Sequence, residues 1–358
     1  MEKIFTDLKI VELANVLAGP ATGLFFAELG AQVIKIENKR TNGDVTRSWK
    51  LSAENKESNY SAYYASVNWN KTSLLMDLEI PQEKQKVYDL IKDADIVLSN
   101  YKKGDDVKLQ MHYEYLRELN PALVYGHISG FGEDSSRTAY DLILQAETGF
   151  MYMNGTPESG PLKMPVALID ILAAHQLKEG LLVALINRMK TGKGAFVSVS
   201  LKDAAIASLA NQASNWLMAA YNHQPGGSLH PNIAPYGEVF TTSDSKKIVL
   251  AIGNEKQFIK LCELLNRIDV LKDPRYKTNT QRIIYRDALY KTLQETINKQ
   301  FSETLMQQLI REDVPVGLIK STKEVFEDTT THRLILHEQS QNQASQRVRT
   351  CIFKIREG

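Results

Sequence analysis

The stretch KIVELANVLAGPATGLFFAELGAQVIKIE, residues 9–37, decides the fold. KIVELA (9–14) is apolar and partly β-branched and reads as a strand. PATGLFFAELG (20–30) reads as a helix, with Pro20 in its first turn and Gly30 as its stop. AQVIKIE (31–37) is a second strand. The same alternation continues downstream. A polar loop leads to a helix near 82–93, the strand DIVLSN (95–100), a helix near 112–119 and the strand ALVYGHIS (122–129). AFVSVSL (195–201) adds another strand, followed by a helix over 203–221. Strands alternating with helices predict an α/β fold around a parallel, Rossmann-like sheet.

The texture changes at NHQPGGSLHPNIAPYG (222–237), a loop-forming composition that marks a domain boundary. Beyond it, EVFTTSDSKKIVLAIG reads as a hairpin turning at Ser243–Lys246, with helices over 255–266 and 285–311. The expected organisation is a large α/β domain over 1–222, to which 312–358 returns, and a smaller α+β domain over 223–311.

With 358 residues, 43% hydrophobic content and a net charge of +1, the composition is that of an ordinary soluble protein. Near-zero charge argues against nucleic acid, whose binders carry a basic stripe. No apolar run approaches the ~20 residues of a membrane span, and MEKIFTDLKI has no secretory character, so a cytoplasmic protein is expected. The cysteines, Cys262 and Cys351, are too few for a disulfide framework and read as packing residues. The histidines show no metal-ligand spacing, and His175 reads as packed or superficial.

Among possible sites, NVLAGPATG (15–23) lacks G-x-G-x-x-G, which argues against NAD. The helix N-terminus after Ala18 and Gly19 still suits a phosphate. Lys35, Lys39, Arg40, Arg47 and Lys50 read on their own as a solvated face. No G-x-S-x-G elbow is present. PVALIDILAAH (165–175) is different, because it sets Asp170 in an apolar run. A buried, unpaired carboxylate is costly. Asp170 is either the N-cap of a helix over 171–189 or a nucleophile aimed from a helix N-terminus. The helix itself is carried by Leu177, Leu181, Ala184 and Leu185, with KTGKG (190–194) as its stop. The local sequence leaves both roles for Asp170 open.

Taken together, these segments resemble the class III CoA-transferases, the CaiB/BaiF family that includes formyl-CoA transferase and the carnitine CoA-transferases. The opening stretch is followed at the family's spacings by GDVTRSW, VNWNKTSLLMDL, ADIVLSNYKKG, YEYLRELNPALVYGHISGFGED and AYDLILQAETGFM, and later by RMKTGKGAFVSVSLKDA and HPNIAPYGEVFTTSDSK. The resemblance implies that Asp170 is the catalytic aspartate, attacking an acyl-CoA thioester through an aspartyl anhydride. It implies CoA contacts from Leu17, Ala18, Asn38, Lys39, Met76, Asp77, Leu78, Asn100, Tyr101, Lys108 and Tyr140, with acyl-CoA as substrate and neither metal nor NAD. Gly226 and Gly227 correspond to the family's glycine loop. Asn38 stands where formyl-CoA transferase has a basic residue, so Lys39 or Arg40 is expected to take a CoA phosphate. The implied partners are a small carboxylic acid and a second copy of the chain, threaded as an interlocked homodimer. An α-methylacyl-CoA racemase is the alternative within the fold. It needs a histidine where this chain has Tyr140, and a tyrosine with an ordinary pKa near ~10 is a poor base. A CoA-binding protein without catalysis is the other alternative.

Overall fold

The computed structural model describes residues 3–340 and 343–356, which form two compact units. The first comprises the chain through Met151, Lys163–His223 and the segment from Arg333 onward; the second comprises Tyr152–Leu162 and Gln224–His332.

The first unit is built on six parallel strands: β1 (Lys9–Glu12), β2 (Gln32–Asn38), β3 (Lys71–Met76), β4 (Ile96–Ser99), β5 (Val124–Ser129) and β6 (Ala195–Ser200). Their order across the sheet is 3-2-1-4-5-6, the doubly wound Rossmann order. β3 falls in the stretch expected to be a polar loop. It is an edge strand with no fully buried apolar residue, so it lacks the apolar run that marks its neighbours.

Helices cover both faces of the sheet. On one face Phe26, Ile96, Leu98, Val124, Leu177 and Leu181 close a core; on the other, Val11, Ile36, Val87, Ile91, Val97 and Tyr125 do so. Helix α1 (Ala18–Glu28) runs close to β1 because two of its residues lack a β-carbon. A Cβ on Gly19 would lie 2.3 Å from Ala14 Cβ, and one on Gly23 would lie 2.0 Å from a Glu12 carboxylate oxygen. Further along are α2 (Ala62–Val67), α3 (Pro81–Lys92), α4 (Asp141–Glu147) and the long α5 (Leu168–Thr191). Leu177, Leu181, Ala184 and Leu185 form the buried stripe of α5, and Gly192 ends it in a left-handed conformation. The single helix expected over 203–221 is two, α6 (Leu201–Ala207) and α7 (Asn211–Ala219). The chain breaks at Ser208–Ala210, where Ala210 has φ +49°, and nothing in the local sequence explains the break.

In the second unit, β7 (Tyr236–Thr241) and β8 (Lys247–Ala251) form the expected hairpin. The strand β9 (Val316–Leu318) pairs antiparallel with β8 instead of returning to the larger unit. Val316 and Leu318 pack on this unit's core of Phe240, Ile248, Leu261, Leu293 and Leu309, which accounts for the difference. The helix expected over 285–311 is interrupted, as Arg286–Ile297 and Ser302–Arg311. Gly227 lies here in a left-handed turn, its N–H donated to Gly155 O at 2.7 Å.

The return to the first unit comes with β10 (Ile335–Ser340) and β11 (Gln343–Val348), an antiparallel pair. Arg347 ion-pairs there with Glu28 at the end of α1, both side chains buried. Cys262 and Cys351 are free and buried, and His175 is exposed.

Candidate active site

In a doubly wound sheet, ligands bind beyond the carboxyl ends of the strands, where the winding reverses. Here that point lies between β1 and β4. The residues that follow these strands clamp each other: Asn15 N–H donates to Asn100 Oδ1 at 3.0 Å, and Asn100 Nδ2 donates to Asn15 O at 2.8 Å. Above them opens a cavity of about 370 Å³, walled by the turn Asn15–Ala18, by Asn100 and Tyr101, by the end of β5, and by Tyr140 and Asp170. A second cavity of about 180 Å³ adjoins Asn15 and Tyr101 and is lined by Asn38, Met76, Asp77 and Leu78.

Asp170 is not the cap of its helix. α5 begins at Leu168 after an N-cap Ala167 that has no side chain to bond with, so Asp170 is the third helical residue. The capping is done from elsewhere. Asp141 Oδ1 accepts the Ile169 N–H at 2.7 Å, and Gln145 holds the other Asp141 oxygen at 2.6 Å while its own Oε1 accepts Met164 N–H at 2.8 Å. Asp170 thereby continues the buried stripe of Ala173, Ala174 and Leu177, 7% exposed, with no hydrogen bond to its carboxylate among the described residues. Burial, with the nearby Asp141 charge added, pushes the Asp170 carboxyl up to about 7. The dipole at the α5 N-terminus works the other way, by up to ~2 kcal/mol. The outcome is a poorly solvated carboxylate, free of partners and facing a cavity. That is how a carboxylate is made nucleophilic.

Tyr63 in α2 is a neighbour that sequence reading missed. Burial first, then the charges of Asp170 and Asp141, push its hydroxyl up to about 12, so it stays a neutral donor. Its ring meets the Trp49 indole edge-on at 5.1 Å. Ser129 Oγ, buried without a partner among the described residues, also lines the Asp170 cavity.

The turn that walls the cavity is strained. Val16, a β-branched residue, has φ +70°, a left-handed conformation costing roughly 1–3 kcal/mol unless its surroundings enforce it. Its N–H is held by both oxygens of Asp44, at 3.1 and 3.4 Å. Asp44 in turn belongs to a buried charge cluster. Lys35 Nζ lies 3.1 Å from Asp44 and 3.1 Å from Glu12, with all three side chains fully buried. Lys71 binds Glu12 at 2.8 Å, and Arg47 binds Glu37 at 2.7 Å. Burial opposes the Lys35 charge, yet Glu12, Asp44 and Glu37 outweigh it and raise its pKa. Lys71 has less support, and burial pulls it down to about 8.

The residues expected at the site fall into three groups. Leu17, Ala18, Asn100, Tyr101 and Tyr140 share the Asp170 cavity. Asn38, Met76, Asp77 and Leu78, with Tyr101 again, share the adjoining one. Lys39 and Lys108 line neither but stand at the rim of the smaller cavity, paired with Glu83 at 2.9 Å and Glu79 at 3.5 Å. Arg40, bonded to Asp77 and Glu79, completes that rim. The reading of all five early basic residues as a solvated face is corrected here. Lys35 is wholly buried, Arg47 is tied to Glu37 and stacked over Tyr64, and Lys50 donates to the carbonyls of Asn55, Lys56 and Ser58.

The class defined is an α/β protein whose sheet has the Rossmann order, with a bare, buried carboxylate on the wall of its switch-point cavity. Residues 5–357 match the CoA-transferase family III, and the chain belongs to that family. It is a class III CoA-transferase. Over 329 residues it is 36% identical to the succinate–glutarate CoA-transferase of Agrobacterium fabrum, covering 90% of this chain and 82% of that one. It is 30% identical over 334 residues to the succinyl-CoA:mesaconate CoA-transferase of Haloarcula hispanica, covering 91% and 83%. The crystal structure of a CaiB/BaiF family protein from Brucella suis superposes with a TM-score of 0.86 at 34% identity, over 99% of this chain and 93% of the other.

Proposed function

We propose that Asp170 is the nucleophile of this CoA-transferase and that the enzyme passes CoA from an acyl-CoA to a small dicarboxylic acid. The observation that carries the reading is the buried, unbonded Asp170 carboxylate on a cavity wall, on a helix that Asp141 caps.

In the first step a carboxylate oxygen of Asp170 attacks the thioester carbonyl. The C–S bond breaks, leaving an acyl-aspartyl anhydride and CoA thiolate. The thiolate then attacks the aspartyl carbonyl, which forms an aspartyl-CoA thioester and releases the donor acid. The acceptor carboxylate displaces CoA from the aspartyl group, and the thiolate attacks the acceptor's acyl carbon. Asp170 is restored, and no external energy source is needed. The first-turn N–H groups of α1, including those of Ala18 and Gly19, have no intrahelical acceptors and suit the oxygen charge that develops at each attack. The cavity beside Tyr101 suits the nucleotide end of CoA, with Lys39, Arg40 and Lys108 for its phosphates.

The dicarboxylate assignment draws on the succinate, glutarate and mesaconate in the names of the two relatives, together with one cation. Lys103 and Arg137 line the Asp170 cavity but are paired with Asp134 and Glu147. Lys102 donates only to the Thr138 hydroxyl, at 2.7 Å, and makes no ion pair among the described residues. Its ammonium suits the distal carboxylate of a dicarboxylic acid. A cytoplasmic homodimer, interlocked as the resemblance implies, completes the proposal. The exposed Trp216, Leu217 and Met218 on α7 and Val183, Ile186 and Met189 on α5 are the apolar surface such a dimer would cover.

The test is chemical. The enzyme incubated with succinyl-CoA and then hydroxylamine should carry a hydroxamate on the peptide containing Asp170. A hydroxamate on another peptide, or none alongside active transfer, would overturn the assignment.

A further inference from the structure

The charge cluster behind the cavity touches no substrate in the proposed reaction, yet one of its members is bonded to both sides of the strained turn. Lys35 Nζ donates to Ala14 O at 2.6 Å and lies 3.1 Å from the Asp44 carboxylate. The same carboxylate accepts the Val16 N–H, while Thr46 fixes one of its oxygens through its N–H at 3.0 Å and its hydroxyl at 2.8 Å. Residues 14 and 16 are thus both anchored to one ammonium, directly or through one carboxylate. Asn15 between them is held by Asn100.

We propose that Lys35 is a positioning residue for CoA transfer, holding Val16 in its left-handed conformation and so fixing the Asn15–Ala18 wall opposite Asp170. Three features carry this. A β-branched residue does not stay at φ +70° without an external hold, and the hold on its N–H is Asp44. Asp44 is 3% exposed, and a buried carboxylate is costly unless it is paired. Lys35 is its ion-pair partner, at 3.1 Å. Lys71, equally buried, provides an internal contrast. It bonds Glu12, Asn68 Oδ1 and Pro20 O but no atom of residues 14–16 or Asp44. Loss of either lysine weakens the cluster. Loss of Lys35 also frees the turn.

The kinetic part rests on Asp170 being the nucleophile; the structural part does not. Lys35→Met, Lys71→Met and the double variant Lys35→Met with Val16→Gly are compared with the wild type at a temperature where all are folded. Hydrogen exchange is followed in the peptide spanning residues 13–19, together with kcat and KM for succinyl-CoA. Lys35→Met should speed exchange in that peptide and lower kcat at least ~10-fold, about 1.4 kcal/mol of barrier, with a smaller change in KM. Glycine at position 16 needs no hold and should recover most of the lost kcat. Lys71→Met should lower the melting temperature while keeping kcat within about twofold, a difference of under ~0.5 kcal/mol in barrier. Equal kcat losses in the two lysine variants, full activity in Lys35→Met, or no recovery with glycine would overturn the proposal. Should Lys35→Met fail to fold, Asp44→Asn replaces it in the same comparison, under the same criteria. Retained transfer in Asp170→Ala would remove the nucleophile reading alone, and the exchange of residues 13–19 would still decide the hold on the turn.

Discussion

Replacing Asp170 by asparagine should make the folded protein more stable, and the gain should depend on pH. In the fold the carboxyl is raised from its ordinary 3.8 to about 7, chiefly by burial. A raised carboxyl pKa means that the folded chain binds a proton more tightly than the unfolded chain does. Stability is therefore lost as pH rises from about 3.8 to 7, and the full penalty is present above 7. At about 1.4 kcal/mol per pH unit, that rise corresponds to roughly 4 kcal/mol. An amide in the same place still leaves a polar group poorly bonded, at about 1–3 kcal/mol, so the net gain at pH 8.5 is about 1–3 kcal/mol. Linkage puts about 2.5 kcal/mol of the gain between pH 5 and pH 8.5. Urea midpoints of wild type and Asp170→Asn, measured at those two pH values, test this directly. A helix cap would behave otherwise, because Asn caps as well as Asp at any pH. A stability difference that is the same at both pH values, or an Asp170→Asn protein weaker than wild type at pH 8.5, would refute the reasoning.

Four further outcomes follow from the same geometry. Asp170→Asn and Asp170→Ala should fold and bind CoA yet lose transfer by at least ~10³-fold, about 4 kcal/mol of barrier, as steady-state assays with purified protein would show. For the wild type, kcat/KM for acyl-CoA should rise with pH to a plateau above about 7; Asp141→Asn keeps the acceptor for Ile169 N–H but removes a charge, and should shift the profile to lower pH. Lys39→Ala or Lys108→Ala should raise KM for acyl-CoA with little change in kcat, and unchanged KM in both would leave Arg40 as the phosphate contact. Lys102→Ala should lower kcat/KM for succinate or glutarate at least ~10-fold more than for acetate, whereas an equal loss with every acid would place the ammonium on CoA.

The sheet was legible in the sequence because its central strands are short apolar runs separated by helical spacing, and residues 9–37 alone set the strand–helix–strand unit. Two of the features that matter most to the site were legible only in part, for different reasons. Asp170 reads locally as either a cap or a nucleophile, because it stands at the head of a strongly periodic helix. The helix instead starts two residues earlier, at Leu168, and its free Ile169 N–H is bonded by Asp141, 28 residues earlier in the chain; no local pattern encodes that pairing. Lys35 looked like surface charge because lysine almost always is. A signal was present here, however. β1 and β2 lie inside a parallel sheet covered on both faces, and such strands should be uniformly apolar. A glutamate in one and a lysine in the other therefore call for each other, and the register does set Glu12 beside Lys35. The two cases separate what a sequence can disclose about a site. A buried charge in an interior strand announces that a partner must exist, because an unpaired one would be prohibitively costly. A lone carboxylate in an apolar helical run announces that it matters but leaves its role open. The capping role is removed only once the fold shows that the helix is capped by another residue, Asp141.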